Sequence, residues 1–401
     1  MKTQSLFKPL KPSADQVLTI VADENMPQVD HWFRAHKIRF KAGRAISKAD
    51  LMDAQVLLVR SVTQVNESLL AGTPVQFVGS ATIGTDHVDQ SWLANQGIRF
   101  AHSPGCNAQG VVDYVIAGLY HFQQQTGQDW TQLTIGIVGV GNVGGALAQR
   151  LHGLGVKLKL CDPLRQQQQS HWQPSIPFEP LDSVLTSDII CLHTPLTTAS
   201  DSPYPTQHLI NQDTLQAVKP GALLINAGRG PVIEEAALLA RLGRGDLAVI
   251  LDVWEFEPQV NLALMAQCLI ATPHIAGYSL DGKIRGTYLL YEQFSDWIGQ
   301  PISPLTLPGE VWSEANLAQP KASELIRQVY DIQGDDERTR SALNGEANQG
   351  KRAEVFDQLR KRYPVRREFG SALLPANWQQ QFSAEQLKQL QALGFKTRSD
   401  R

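Results

Sequence analysis

From residue 17 the chain repeats one hydrophobic rhythm: a short apolar run, a turn, then a segment with apolar positions spaced three and four apart. The runs VLTIVAD (17–23), DAQVLLVR (53–60), PVQFVG (74–79) and GIRFAHS (97–103) are rich in β-branched residues and bounded by turn formers, the pattern of buried strands. Segments 65–70 and 87–95 between them carry helical spacing. The rhythm returns at 133 with LTIGIVG, VKLKLCD, DIICLHT, GALLINA, LAVILDV and CLIATPH. Strands that alternate with helices run parallel and are joined by crossovers, so the pattern predicts an α/β chain with two doubly wound, Rossmann-like parallel-sheet units. A long helix at 109–125, with Val112, Ile116, Leu119 and Tyr120 on one face, separates the units. A second helix at 282–297 follows the last strand. If it packs back on the first unit, that unit is discontinuous and two hinge helices allow the units to close over a ligand.

After residue 300 the pattern changes. PISPLTLPGE reads as a linker, and beyond it lie helical patterns at 321–330 and 352–362 and the basic run RKRYPVRRE (360–368). No glycine-rich loop and no strand–helix alternation appear in this third, smaller region. The expected domains are 17–115 with 281–300 for substrate, 116–280 for a dinucleotide, and 301–395 as a C-terminal domain. The 401 residues suffice for such an arrangement, and 42% hydrophobic with 19% charged residues is ordinary globular composition. A net charge of −3 provides no basic footprint for nucleic acid, and the basic run at 360–368 is better read as flanking a helix or reaching a phosphorylated substrate. No apolar run reaches the roughly 18–20 residues of a membrane span. The first sixteen residues are polar and proline-broken, unlike a secretory signal. Cys106, Cys161, Cys191 and Cys268 lie far apart, which suits reduced thiols and no metal site. The expectation is a cytoplasmic enzyme with a small-molecule substrate, bound to neither membrane nor nucleic acid.

Gly139, Gly141 and Gly144 form G-x-G-x-x-G directly after a predicted strand and at the start of a predicted helix, the context that gives the motif meaning. The first glycine allows the tight turn, the second lets backbone approach a pyrophosphate, and the third lets helix and strand pack closely. Asp162 ends the next strand, where a carboxylate accepts the ribose hydroxyls of NAD and repels the 2′-phosphate of NADP. Arg165 leaves an opening for NADP.

Arg229, Glu257 and His274 each follow a strand of this unit, and ligands of open parallel sheets bind at the carboxyl ends of strands. Oxidising a secondary alcohol needs a base for the hydroxyl proton, and a neutral histidine suits that role near pH 7. A carboxylate beside it fixes the tautomer, and an arginine clamps a substrate carboxylate. Together they point to a 2-hydroxy acid or its 2-oxo product. His193, in CLHTPLT, is the rival base, while Arg229 read alone is a helix-flanking charge and Glu257 a surface acid.

These residues bring the chain to a known family. With Gly139–Gly144, Asp162, N-x-x-R-G at Asn226–Gly230, D-V-x-x-x-E-P at Asp252–Pro258 and T-P-H at Thr272–His274, it resembles the D-isomer-specific 2-hydroxyacid dehydrogenases over about residues 17–300. Longer runs, VADENMP, LLVRSVT, GSATIGTDHVD, SPGCNAQGVVDY, LDVWEFEP and TPHIAGYSLDGKIRGT, resemble a branch of that family that acts on a phosphorylated four-carbon acid in pyridoxal phosphate synthesis. The resemblance implies NAD-dependent oxidation of 4-phospho-D-erythronate at C2. It implies that His274 moves the proton, with Glu257 as its partner and Arg229 as the substrate-orienting cation. Asp252 would contact the nicotinamide end, Thr194 and Gly277 would line the cofactor, and Asn142 and Val143 would meet its phosphates. Ser61, Thr82 and Tyr278 would bind substrate, and the C-terminal domain would form a homodimer. Arg60 and Arg285 are candidates for the substrate phosphate from charge alone. The extension before residue 17 departs from the family and is expected to be irrelevant to catalysis. A dehydrogenase of another acid, such as 3-phosphoglycerate, and an NAD-sensing binding protein remain the alternatives.

Overall fold

The computed structural model describes residues 12, 13, 15–173, 175–311, 322–375 and 379–397, so most of the amino-terminal extension lies outside the described residues. The chain divides into two compact units, 1–107 with 280–307 and 108–279 with 308–401.

The first unit is built on five parallel strands: β1 (Thr19–Asp23), β2 (Lys37–Lys41), β3 (Val56–Val59), β4 (Phe77–Ser80) and β5 (Arg99–His102), in the order β2-β1-β3-β4-β5. Short helices α1 (Val29–Trp32), α2 (Glu67–Leu70) and α3 (Gln90–Asn95) connect them. The hydrophobic rhythm missed β2, whose sequence KIRFK is half-buried to exposed and carries three cations, as a sheet edge does. Both sheet faces are covered. Val21, Leu57, Val59 and Val78 face one apolar layer, and Ile20, Ala22, Val56, Leu58 and Phe77 face the other. The long helix α10 (Leu280–Ile298) supplies Tyr288, Leu290, Tyr291, Phe294 and Ile298 to that second layer, which makes the unit discontinuous in sequence.

The second unit opens with α4 (Ala108–Thr126), the long helix read at 109–125, which packs into the core of this unit. Six parallel strands follow: β6 (Thr134–Val138), β7 (Lys157–Cys161), β10 (Ile189–Leu192), β11 (Ala222–Asn226), β12 (Leu247–Leu251) and β13 (Ile270–Ala271). Their order is β13-β12-β11-β10-β6-β7, and a small hairpin, β8 (His171–Gln173) with β9 (Ile176–Pro177), lies outside that sheet. The crossovers include α5 (Asn142–Gly153), α6 (Pro163–Gln168), α7 (Leu181–Leu185), α8 (Glu235–Leu242) and α9 (Leu262–Gln267). Strand order reverses between β6 and β10, the switch point where such sheets open a crevice. Alternation is strict: Ile135, Ile137, Ile189, Cys191, Leu223, Ile225 and Ile250 face one core, while Val138, Ile190, Leu192, Leu224, Val249 and Leu251 face the other.

The C-terminal segment shares these two cores. α11 (Ala322–Val329), α12 (Ile332–Asn344), α13 (Gln349–Lys361) and α14 (Ala384–Ala392) bury Leu325, Ile326, Ile332 and Leu390 against α4 and α5, and Leu343 and Phe356 on the opposite side. Polar clips fix the docking. Arg340 donates to the carbonyls of Met265 (2.6 Å) and Cys268 (2.7 Å), and Asp336 accepts from the Ala271 amide at 2.7 Å. Buried Asp113 binds Arg150 and accepts from the Phe369 amide at 2.9 Å. The segment expected at 301–395 therefore completes the core of the dinucleotide unit. All four cysteines are buried and outside any disulfide, and burial pushes Cys161 to about 11 and Cys191 to about 12, far from nucleophilic use. No helix of the described residues is long and apolar enough to cross a membrane.

Candidate active site

The glycine loop between β6 and α5 behaves as its spacing predicts. Gly139 has φ +86°, and a Cβ there would lie 2.8 Å from the His193–Thr194 backbone at the end of β10. A Cβ on Gly144 would come within 1.9 Å of the Gly139 carbonyl oxygen, so any side chain drives helix from strand. A Cβ on Gly141 would meet nothing within 4 Å. That open space lies at the N-cap of α5, where the first-turn amides of Asn142, Val143 and Gly144 lack intrahelical acceptors and present partial positive charge. An anion fits there.

Asp162 stands at the end of β7 and also caps α6. One carboxylate oxygen accepts from the Val140 amide at 2.9 Å and the other from the Arg165 amide at 3.1 Å, which ties the acid to the glycine loop. A carboxylate has about four acceptor sites, so two remain for ribose hydroxyls. Arg165 turns its guanidinium onto the Val140 carbonyl. On the neighbouring strand end, both ring nitrogens of His193 and the hydroxyl of Thr194 are buried without hydrogen-bond partners. Orphaned polar atoms in the wall of a dinucleotide crevice are what a bound dinucleotide would satisfy. Burial lowers His193 to about 4, so it is neutral near pH 7 and too weak a base for the proton transfer.

The imidazole–carboxylate pair lies at the other strand ends. His274 Nδ1 is 2.6 Å from Glu257 Oε1, with both side chains partly exposed. His274 has φ +58°, uncommon for a residue with a side chain. The surroundings hold it there: its amide donates to the Asp252 carbonyl at 2.6 Å. The buried Asp252 carboxylate accepts from Thr272 Oγ1 (2.6 Å), the Ile275 amide (2.7 Å) and the Ala276 amide (2.9 Å). Tyr114 of α4 reaches Thr272 Oγ1 at 2.8 Å, and Trp254 Nε1 donates to the Thr272 carbonyl at 3.0 Å. Asp252 thus ties down the loop running from Thr272 past His274 towards Gly277, a role that sequence reasoning missed.

Glu257 is steered by its neighbour in the chain. Glu255 accepts from the Glu235 amide (2.8 Å) and from His208 (2.6 Å), while Glu235 accepts from the Glu255 amide (2.9 Å). That exchange anchors the loop to α8 and leaves Glu257 for His274. Burial pushes the Glu257 carboxyl up, but the charges of His274 and Arg360 outweigh it and hold it below the usual carboxylate range. An ionised Glu257 accepts from Nδ1 of the imidazole, so in the neutral form of the ring the Nε2 lone pair is left to take a proton.

Arg229 caps the turn after β11, where Asn226 braces the backbone by donating to the Arg229 carbonyl at 3.0 Å. A Cβ on Gly230 would lie 1.9 Å from the Trp254 carbonyl oxygen, so the Arg229 loop sits directly on the loop that carries Glu257. Tyr278 faces Tyr363 edge-on at 6.0 Å and Arg360 at 5.7 Å, both from the C-terminal segment. Arg360 was legible only as one cation of a basic run.

Ser61 and Thr82 lie in the other unit. Ser61 is exposed just past β3. Thr82 follows β4 and donates to the Gly84 carbonyl at 2.8 Å, so its contact with Ser80 (2.7 Å) has Ser80 as donor, and His87 Nε2 donates to Ser80 at 2.9 Å. Arg285 Nε is held by the Cys106 carbonyl at 2.9 Å.

Residues 111–276 match the family model of the D-isomer specific 2-hydroxyacid dehydrogenase NAD binding domain, and residues 308–394 match a domain of unknown function, DUF3410. The chain is 46% identical over 365 residues to an erythronate-4-phosphate dehydrogenase of Marinobacter nauticus, covering 88% of this chain and 94% of that one. It is 43% identical over 390 residues to the protein of that name from Salmonella arizonae, covering 94% and 98%. Among solved structures, an NAD+-bound 3-phosphoglycerate dehydrogenase of Entamoeba histolytica aligns at TM-score 0.60 and 22% identity, over 71% of this chain and 96% of that one. A D-lactate dehydrogenase of Aquifex aeolicus in complex with NAD and lactic acid aligns at 0.57 and 21%, over 70% and 95%. At those identities the structural likeness establishes the fold.

Proposed function

The chain belongs to the erythronate-4-phosphate dehydrogenases of the D-isomer-specific 2-hydroxyacid dehydrogenase family, and from that premise we propose how its residues oxidise 4-phospho-D-erythronate to (R)-3-hydroxy-2-oxo-4-phosphooxybutanoate with NAD. The observation that carries this reading is the 2.6 Å pairing of His274 with Glu257, at the strand ends of a sheet whose glycine loop has room for a pyrophosphate.

Gly139, Gly141, Gly144, Asn142 and Val143 hold the dinucleotide phosphates, Asp162 its adenine ribose, and Thr194 and Gly277 its flanks. NAD bound by these residues would supply the acceptor for the hydride that leaves C2 of the substrate. His274 Nε2 takes the hydroxyl proton, and Glu257 stabilises the imidazolium that results. Arg229 clamps the substrate carboxylate and offsets negative charge developing on the C2 oxygen. Asp252, expected to contact the nicotinamide end, contributes by holding the loop of His274. Ser61, Thr82 and Tyr278 bind the substrate. The protein works in the cytoplasm, in pyridoxal phosphate synthesis, as a homodimer assembled through its C-terminal segment; light scattering tests the assembly.

Steady-state kinetics on a panel of 2-hydroxy acids tests the reading. We expect kcat/KM for 4-phospho-D-erythronate to exceed that for 3-phosphoglycerate and glycerate by at least tenfold. A tenfold preference for 3-phosphoglycerate overturns the substrate, and no turnover of any acid with NAD binding intact favours a sensing role.

A further inference from the structure

Arg360 opens the basic run at the end of α13, yet it is no solvated charge. Its side chain is 17% exposed, and its Nε is buried without a hydrogen-bond partner. The guanidinium carbon stands 5.7 Å from the ring centre of Tyr278 and 5.9 Å from that of Phe356. Asp357, on its own helix, lies 3.9 Å away, at the limit of an ion pair. The Tyr278 hydroxyl hydrogen-bonds with it, and the negative charge of Glu257 lies near enough to act on it. Charged groups facing Glu257 are His274 and Arg360, and the Trp254 amide donates to it at 3.2 Å. A buried cation needs compensation, and one loosely placed aspartate supplies little. The two loops that carry the candidate catalytic pair add the Tyr278 hydroxyl and the Glu257 charge.

We propose that Arg360 is a positioning residue of the active site, supplied by the C-terminal segment: its guanidinium seats Tyr278 and faces Glu257, so that docking of α13 completes the dehydrogenase. This deepens the reading of His274 and Glu257 as the proton-moving pair and rests on it. Tyr278 lies four residues beyond His274, and its amide donates to the Ile275 carbonyl at 2.8 Å, so the ring that Arg360 seats belongs to the loop of the base. A positive charge facing Glu257 favours the carboxylate and opposes proton uptake by the pair. The domain of unknown function is then a working part of the site.

The test compares the full-length wild type with Arg360→Met, which removes the charge but keeps bulk over Tyr278, and with Arg360→Lys. Two quantities are read: the pH dependence of kcat/KM with NAD and 4-phospho-D-erythronate, and the titration of the His274 ring by NMR without substrate. We expect R360M to lower kcat/KM about tenfold at neutral pH and to move the acid limb and the His274 titration upward by about one pH unit. R360K should restore both to within a few tenths of a unit while KM stays raised, because an ammonium lacks the planar fork of donors that seats Tyr278. If R360M does not fold by circular dichroism, Arg360→Gln reads the same two quantities. An unchanged acid limb and unchanged His274 titration, even with lowered thermal stability, overturn the proposal and leave Arg360 a docking residue. A wild type that turns over another hydroxy acid instead refutes the substrate assignment, and the NMR titration still decides the role of Arg360.

Discussion

The two parallel sheets share one construction and differ in what they hold at their carboxyl ends. In the second unit those ends carry charge: the His274–Glu257 pair, the Asp252 carboxylate and Arg229. In the first unit, where Asp23 ends β1 and Arg60 follows β3, the end of β4 carries instead a neutral relay from His87 through Ser80 and Thr82 to the Gly84 carbonyl. Burial holds His87 below its ordinary range against the opposing charge of Asp86, so the relay stays uncharged near pH 7. The sheet determines where a site can form, and the residues at strand ends determine its chemistry. A charged end suits proton movement and anion clamping, while a neutral relay suits hydrogen bonding to a substrate.

That contrast breaks most readily at His274. His274→Ala should lower kcat by about 10³–10⁴-fold while NAD affinity, read by fluorescence titration, stays within a few fold. A loss below tenfold would move the base elsewhere. Glu257→Gln should cost about a hundredfold in kcat, since Nδ1 loses its anionic partner. Because the Glu257 carboxyl is depressed, its stabilising contribution is present above the ordinary carboxylate value and lost as pH falls through its lowered one. The gap in unfolding free energy between wild type and E257Q should therefore narrow as the solution is acidified below the ordinary glutamate value.

The glycine loop separates binding from folding. Gly144→Ala should destabilise the protein by about 1–3 kcal/mol or more in urea, given its clash with Gly139. Gly141→Ala should keep wild-type stability and lose NAD affinity, because its Cβ enters open space reserved for an anion. The smallest effect is expected in the first unit. Thr82→Val should raise KM about tenfold, worth about 1.4 kcal/mol, with kcat within twofold. A collapse of kcat in T82V would place chemistry on both sheets and erase the distinction.

Much of this was written in the order of residues. Short apolar runs rich in β-branched residues and bounded by turn formers marked the central strands, and a glycine triplet between strand and helix marked the dinucleotide loop, because each is a local requirement of backbone geometry. The chain ends of β11, β12 and β13 offered Arg229, Glu257 and His274 by the same logic. α14 carried a readable signal, the Ser383–Gln386 capping box, that hydrophobic spacing overlooked.

Only the folded chain decided the rest. α12 escaped the pattern because between Ile332 and Leu343 its buried face is Asp335, Asp336 and Thr339, and its clips to Ala271, Met265 and Cys268 span more than sixty residues. That Asp252 secures the loop of His274, that Glu255 is spent on Glu235 and His208 so that Glu257 is left for the imidazole, and that one arginine of a basic run turns inward onto Tyr278 are matters of distance between remote segments. Local propensity sees neighbours in sequence; a hydrogen bond or a buried charge is specified by neighbours in space, and those exist only once the sheet has brought its strand ends together.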